Sequence, residues 1–114
     1  MTSRAGEAGQ DMPTKITLVY YNPTDPDAFE AGYPQQLAMA RKLPGLIRLQ
    51  TSKVWPKEDG SPTPAYRLLD LYFADYAAAS DAVTTAAAGT FVTATLEHAT
   101  GGVLMAFAEV LDDA

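Results

Sequence analysis

Apolar and polar positions alternate from Lys15 to Asn22, with Ile16, Leu18 and Tyr20 on one side and Thr17, Val19 and Tyr21 on the other. A period of two predicts a strand. The period then changes. Phe29, Tyr33, Leu37 and Ala40 fall on one helical stripe, and Asp25-Pro26 ahead of them fits an N-cap followed by proline at the first helical position. Pro34 removes a backbone N–H and clashes with the preceding turn, so with Gly32 nearby the helix is expected to kink or to split into two short helices. Leu43-Pro44-Gly45 ends the element.

The second half repeats the scheme. Residues 46–55 form a second strand, with Arg48 and Lys53 marking a half-exposed face. The turn-rich segment PKEDGSPTP, 56–64, reads as a hairpin loop leading to a third strand at 65–73. An Ala-rich helix is predicted over 75–88, with Gly89-Thr90 separating it from a short helix through Phe91, Leu96 and Ala99. Gly101-Gly102 turns the chain into a last strand at 103–110. The order is βαββαβ, an α+β class with an antiparallel sheet in the ferredoxin-like arrangement. The domain is expected at 14–111, between a flexible polar tail at 1–13 and an acidic tail at 112–114. Met12 offers an alternative start.

A sheet covered by helices on one face should show one apolar and one polar face. Strand three places Leu69, Leu71 and Phe73 on one side and Leu68, Asp70 and Tyr72 on the other. Strand four sets Val103, Met105 and Phe107 against Leu104, Ala106 and Ala108. Both faces read as largely apolar, and the helices suffice for only one. A second copy is the simplest cover, so a homodimer is expected, its sheets packed face to face as a dimeric α+β barrel.

Composition narrows the function. A chain of 114 residues is one domain. Its formal net charge of −6, without a basic run, argues against nucleic acid and anionic membrane surfaces. No apolar stretch approaches a membrane span, and no signal-peptide core is visible, so a cytoplasmic location is expected. With no Cys there is no disulfide, thiolate metal site or cysteine nucleophile. With His98 the single histidine, multi-histidine metal sites and His-assisted serine or cysteine constellations within one chain are closed. No Gly-rich phosphate loop is present. No metal and no dedicated cofactor are expected, with haem on His98 the weaker exclusion.

Four segments carry a resemblance: Tyr21-Asn22-Pro23-Thr24-Asp25-Pro26 with Phe29, then Ala40-Arg41-Lys42-Leu43-Pro44-Gly45-Leu46, then YRLLDLYF at 66–73, then Ala99-Thr100-Gly101-Gly102-Val103. In this order and spacing they resemble the EthD-like family, a branch of the dimeric α+β barrel superfamily, over roughly residues 15–110. The family takes its name from a gene cluster for degrading an ether and is generally associated with oxidoreductase activity. Relatives in the superfamily include cofactor-free monooxygenases, polyketide cyclases, lactone isomerases and haem-handling enzymes, which use a cavity in one barrel half. The resemblance therefore implies a small enzyme acting on an apolar, oxygenated organic compound, or a non-catalytic binding or accessory protein with the same cavity. One departure stands out. Where the family usually carries a His and, two residues on, a Pro, this chain has Gln36 and Ala38.

The candidate residues each have a plainer alternative. Asp70, mid-strand, is either a cavity carboxylate doing acid or base work, a position where the family often has an acid, or a structural acid paired with Arg48 or Arg67. Tyr20 and Tyr72 read as sharing one alternation class and would offer hydroxyls to a ligand, against plain aromatic packing. Gln36 keeps hydrogen bonding but moves no proton, which makes it a ligand-orienting amide at most. Trp55 would line a cavity mouth or a dimer interface. Tyr33 joins the ligand set beside the expected helix break. His98 ends a helix, where a histidine commonly bonds the last carbonyls. The expected ligand site lies between the sheet and the broken first helix, with Gln36 above and Asp70 and Tyr72 beneath.

Overall fold

The computed structural model describes residues 12–112; of the expected tails at 1–13 and 112–114, residues 1–11 and 113–114 lie outside them. Strand β1 spans Thr14–Tyr20, helix α1 Pro26–Ala40, β2 Leu46–Lys53 and β3 Arg67–Phe73. Helices α2, Tyr76–Ala82, and α3, Ala86–His98, precede β4, Val103–Glu109. All neighbouring strands pair antiparallel in the order β2-β3-β1-β4. This is the ferredoxin-like α+β arrangement, with the two edges formed by β2 and β4.

Helix α1 begins as its sequence dictates. The Asp25 side chain accepts from the Ala28 N–H at 3.2 Å, and Pro26 occupies the first turn, where its missing N–H costs nothing. The expected break does not occur. Pro34 sits inside one continuous helix, on its exposed side. Solvent at that surface can satisfy the carbonyl that the proline deprives of a donor, while the buried stripe Phe29, Tyr33, Gln36 and Ala40 holds the helix to the sheet on both sides of it.

The second helical region breaks earlier than expected. Its division falls at Val83–Thr85, and Gly89 lies within α3. The Thr84 and Thr85 hydroxyls donate to the carbonyls of Asp81 and Ala82, each at 2.7 Å, which closes α2. The Thr85 oxygen then accepts from the Ala88 N–H at 3.2 Å and opens α3. A threonine pair satisfies both ends and overrides the glycine.

The helices cover one sheet face. Ile16, Leu18, Tyr20, Leu69, Leu71 and Phe73 are buried there beneath Phe29, Tyr33, Ala40, Leu43, Ala79, Ala82, Ala88 and Phe91. The opposite face is open, and it is less apolar than the alternation suggested. Register places Arg48 and Gln50 beside Tyr72 and Asp70, and Lys15 and Thr17 on the far side of the same pair. Val19, Leu68 and Leu104 form an apolar strip at one end, with Leu104 52% exposed. The open face therefore has a polar centre and an apolar end.

Two of the resembling segments touch each other. The Tyr21 N–H donates to the Gly102 carbonyl and the Thr24 N–H to the Thr100 hydroxyl, both at 3.0 Å. A Cβ at Gly101 would stand 1.9 Å from the Asn22 carbonyl oxygen, so only glycine permits this approach. The junction fixes the start of α1 against the end of α3.

Candidate functional site

The sheet divides the expected site residues into two groups. Tyr20, Tyr33 and Gln36 come together on the helix side; Asp70 and Tyr72 lie on the open face. Tyr20 pairs with Arg67 and Lys15 with Tyr72, which puts the two tyrosines on opposite faces, contrary to the expectation that they share one. A site combining Gln36 with Asp70 and Tyr72 is excluded, because the β-sheet stands between them. Trp55, beyond the end of β2, is 87% exposed and lines none of the described cavities.

On the open face Asp70 is only 9% exposed, and its Oδ1 is engaged. The Thr17 hydroxyl donates to its Oδ1 at 2.6 Å, and Lys15 Nζ lies 3.5 Å from the same oxygen. Its partners are these two β1 residues and neither of the expected arginines. The Tyr72 hydroxyl donates to Gln50 Oε1 at 3.2 Å, and the Arg48 guanidinium lies 4.8 Å from the Tyr72 ring centre. Arg67 instead faces the helices and holds Glu30 through two hydrogen bonds of 2.6 and 3.2 Å. Arg67 thereby keeps the Glu30 carboxyl below its usual range. Tyr66 donates to the same carboxylate at 2.7 Å, and with burial as the main cause its pKa is pushed up to about 12.

The helix-side interior is layered along β1. At the Ile16 and Leu18 end a cavity of about 220 Å³ is lined by those two residues with Leu43, Leu71, Val83, Ala88, Phe91, Val92, Met105 and Phe107. Every lining side chain is apolar. At its edge Val83 is 41% and Phe107 43% exposed, which makes them the mouth. One residue pair further along β1, the chemistry turns polar. The fully buried Thr95 hydroxyl donates to Oε1 of buried Gln36 at 2.7 Å. The Tyr20 hydroxyl faces Thr95 yet is buried without a well-formed hydrogen bond, and burial raises its pKa far above the ordinary phenol value.

Beyond the polar layer is an aromatic one. Phe29 and Tyr33 stack at 5.3 Å, with Tyr20 edge-on to both. His98 packs on Phe29 with ring centres 4.3 Å apart. Its expected role at the end of α3 was to bond that helix's last carbonyls; it reaches across to α1 instead, to the Phe29 backbone. Gly32 makes room, since a Cβ there would stand 2.9 Å from His98 Cε1. Gly32 serves this contact rather than a kink. His98 Nε2 is buried without a hydrogen-bond partner. Burial lowers the imidazole's pKa, against the opposing pull of the Phe29 hydrogen bond and the Glu30 charge. A second cavity, about 250 Å³, lies in the seam between α1 and α3 and is lined by Gly32, Gln35, Gln36, Met39, Ala94, Glu97 and His98.

Thr95 is the member of this interior that the sequence reading passed over, and His98 was read there only as a helix cap and a weak haem candidate. The spacing Phe91, Thr95, His98 continues the buried stripe of α3, and two polar residues on an otherwise apolar stripe were the available signal. Among the described residues no cluster of His, Asp or Glu could hold a metal ion. No helix among them is long and apolar enough to cross a membrane.

The fold and this interior define a ferredoxin-like domain with a helix-covered cavity, and known proteins share the fold. No protein-family model matches the chain. An uncharacterised 11.0 kDa protein in the thcB-thcC intergenic region of Rhodococcus erythropolis is 31% identical over 96 residues, covering 83% of this chain and 92% of that protein. The crystal structure of an EthD family protein from Bacillus halodurans superposes with a TM-score of 0.81 at 21% identity, over 88% of this chain and all of that one. SnoaB from Streptomyces nogalater, a cofactor-independent oxygenase, gives a TM-score of 0.64 at 16% identity, over 90% of this chain and 96% of its own. A dimeric ferredoxin-like protein from Jannaschia sp. gives 0.62 at 16% identity, over 86% of this chain and 99% of that one. The chain shares the fold of an EthD family protein and is related over most of its length to the uncharacterised Rhodococcus erythropolis protein.

Proposed function

We propose that this protein is a small enzyme acting on an apolar, oxygenated organic compound, held on the helix side of the sheet without a dedicated cofactor. The observation that carries this reading is the sequence of layers: an apolar cavity followed along β1 by buried Tyr20, Gln36 and Thr95, with the Tyr20 hydroxyl unpaired. An apolar cavity with a few convergent polar groups is the usual form of a ligand site. At about 220 Å³ the cavity exceeds the roughly 150 Å³ that suffices for benzene in an engineered apolar cavity. The fold shared with a cofactor-independent oxygenase supports the same reading.

A non-catalytic binding role is the second reading, and Gln36 favours it. The amide stands where the family usually has a histidine, and it is committed to Thr95. The working form is proposed to be a homodimer joined through the open sheet faces, with the Thr17–Asp70–Lys15 group inside the contact and the Val19, Leu68 and Leu104 strip beside it. The shared fold of a dimeric ferredoxin-like protein supports this.

Calorimetric titration with 1-naphthol, an apolar ring carrying one oxygen, tests the reading. Saturable binding to the intact protein is expected, and Val83→Trp at the cavity mouth should abolish it while the circular dichroism spectrum stays unchanged. Binding that survives Val83→Trp would contradict the site. Oxygen uptake or product formation over a panel of hydroxylated aromatics then separates turnover from binding alone.

A further inference from the structure

We infer that the seam between α1 and α3 is a second ligand site, separate from the apolar cavity, and that it takes a neutral carboxamide or lactam. The inference goes beyond the proposed function and does not rest on it. The seam cavity, about 250 Å³, has a different lining from the apolar one. Gln36 and Glu97 bring a hydrogen-bond donor and an acceptor to it, and Met39, Ala94 and His98 supply softer walls. Gln36 makes this a built site. Its side chain is only 3% exposed, and a partner inside the fold sets its orientation. The Thr95 hydroxyl donates to Oε1 at 2.7 Å, which turns Oε1 inward and leaves the two N–H bonds of Nε2 over. Nε2 donates to no described residue. The sealed, unpartnered side-chain atoms among the described residues are the Tyr20 hydroxyl and His98 Nε2. Gln36 Nε2 is not one of them, so it keeps access to solvent, and the cavity that Gln36 lines is the seam.

The two polar groups narrow the ligand. Gln36 Nε2 only donates, so the ligand must present an acceptor. Glu97 is exposed on α3, lines the same cavity and forms no ion pair with a described residue. Its carboxylate only accepts, and it repels a second anion. The ligand's acceptor is therefore a neutral oxygen rather than a carboxylate or a phosphate. The formal net charge of −6 acts in the same direction. A bare cation would suit Glu97 but would face the N–H bonds of Gln36. A ketone would suit Gln36 and leave Glu97 unanswered. A carbonyl oxygen with an N–H beside it meets both: the oxygen accepts from Gln36, and the N–H donates to Glu97. The apolar cavity offers no such pair, since every side chain lining it is apolar.

The test is titration of the full-length protein with 2-pyrrolidinone, followed by the side-chain N–H resonances of Gln36. Cyclopentanone has the same ring without the N–H, and protonated pyrrolidine has the N–H without the carbonyl. A saturable shift of both Gln36 N–H resonances is expected. The two analogues should each bind about fivefold more weakly, as loss of one hydrogen bond implies. Glu97→Ala, at an exposed position, should weaken 2-pyrrolidinone to the same degree, and Ala94→Trp should fill the seam and abolish binding. Equal affinity for the three rings, or binding that survives in a folded Ala94→Trp, overturns the inference. So does a shift confined to Leu18 and Met105 while the Gln36 resonances stay still, and so does an absence of saturable binding. Should Ala94→Trp fail to fold, the wild-type resonances and Glu97→Ala decide in the same way. Saturating 1-naphthol should leave the 2-pyrrolidinone affinity unchanged, and competition between the two overturns the separation of the sites. Failure of 1-naphthol to bind would remove the proposed function and leave this site standing.

Discussion

Gly32 and His98 show how one residue pair sets the chemistry of a seam. A glycine inside a helix costs up to about 1 kcal/mol relative to alanine, so its presence in α1 needs a reason. The contact at 2.9 Å supplies it, because an added Cβ must move either the imidazole or the helix. Gly32→Ala is therefore expected to lower the melting temperature and to shift the His98 and Phe29 resonances, despite its better helix propensity. A rise in melting temperature with both resonances unmoved would contradict the packing. The same histidine predicts a pH dependence. Its folded pKa lies below the unfolded value, so the unfolded state binds more protons as pH falls. Its contribution is complete above the unfolded value of about 6.5 and is lost on acidification through that value toward the folded pKa. His98→Phe should flatten the stability profile over this window, measured as the difference between urea midpoints of variant and wild type.

Periodicity placed Tyr20 on the strand and Tyr33 on the helical stripe, while Gln36 was singled out only through the family resemblance. Neither signal revealed that Tyr72 turns away from Tyr20. That fact depends on the register between β1 and β3, which are separated by a helix, a strand and a loop; a slip of one residue reverses every side chain. The partners of Asp70 depend on the same register, which brings it opposite Thr17.

Among the elements, the strands and the N-cap of α1 could be read from sequence because their signals are local. The helix boundaries could not, because two punctuation signals competed. Gly89-Thr90 looked like the break in the second helical region, yet Thr84-Thr85 satisfies the end of one helix and the start of the next. Thr85→Ala should then cost about 1 kcal/mol in urea denaturation, the usual value of a lost N-cap. Thr90→Ala, an exposed position within α3, should change stability by less than about 0.5 kcal/mol. Equal effects would return the break to Gly89. Pro34 makes the complementary point: a strong local breaker is overruled by tertiary packing when its face is solvated and the opposite stripe is buried. The Tyr21–Pro26 and Ala99–Val103 segments were conspicuous in sequence for a reason visible only in three dimensions. They bond to each other and bring the start of α1 to His98.

At the scale of the molecule, one sheet face is left uncovered by the helices, and its mixed character sets what can cover it. Asp70 is almost sealed by Thr17 and Lys15, while Leu104 and Val19 leave an apolar end. A second copy across this face would bury the apolar strip and meet the polar centre with its own. Light scattering at micromolar concentration is expected to return twice the chain mass, and a monomer would remove the dimeric barrel from the account. The class of fold followed from element order; the position of the cavity did not, because it arises where the side chains of β1, β3, β4, α3, Leu43 and Val83 fail to fill the space above Leu18. That placement is the central claim, and methyl-resolved NMR during titration with 1-naphthol tests it most directly. Leu18, Leu71, Ala88 and Met105 should shift saturably while Leu68 and Leu104 on the open face stay in place. Shifts centred on Leu68, Leu104 and Thr17, with Leu18 and Met105 unmoved, would contradict it.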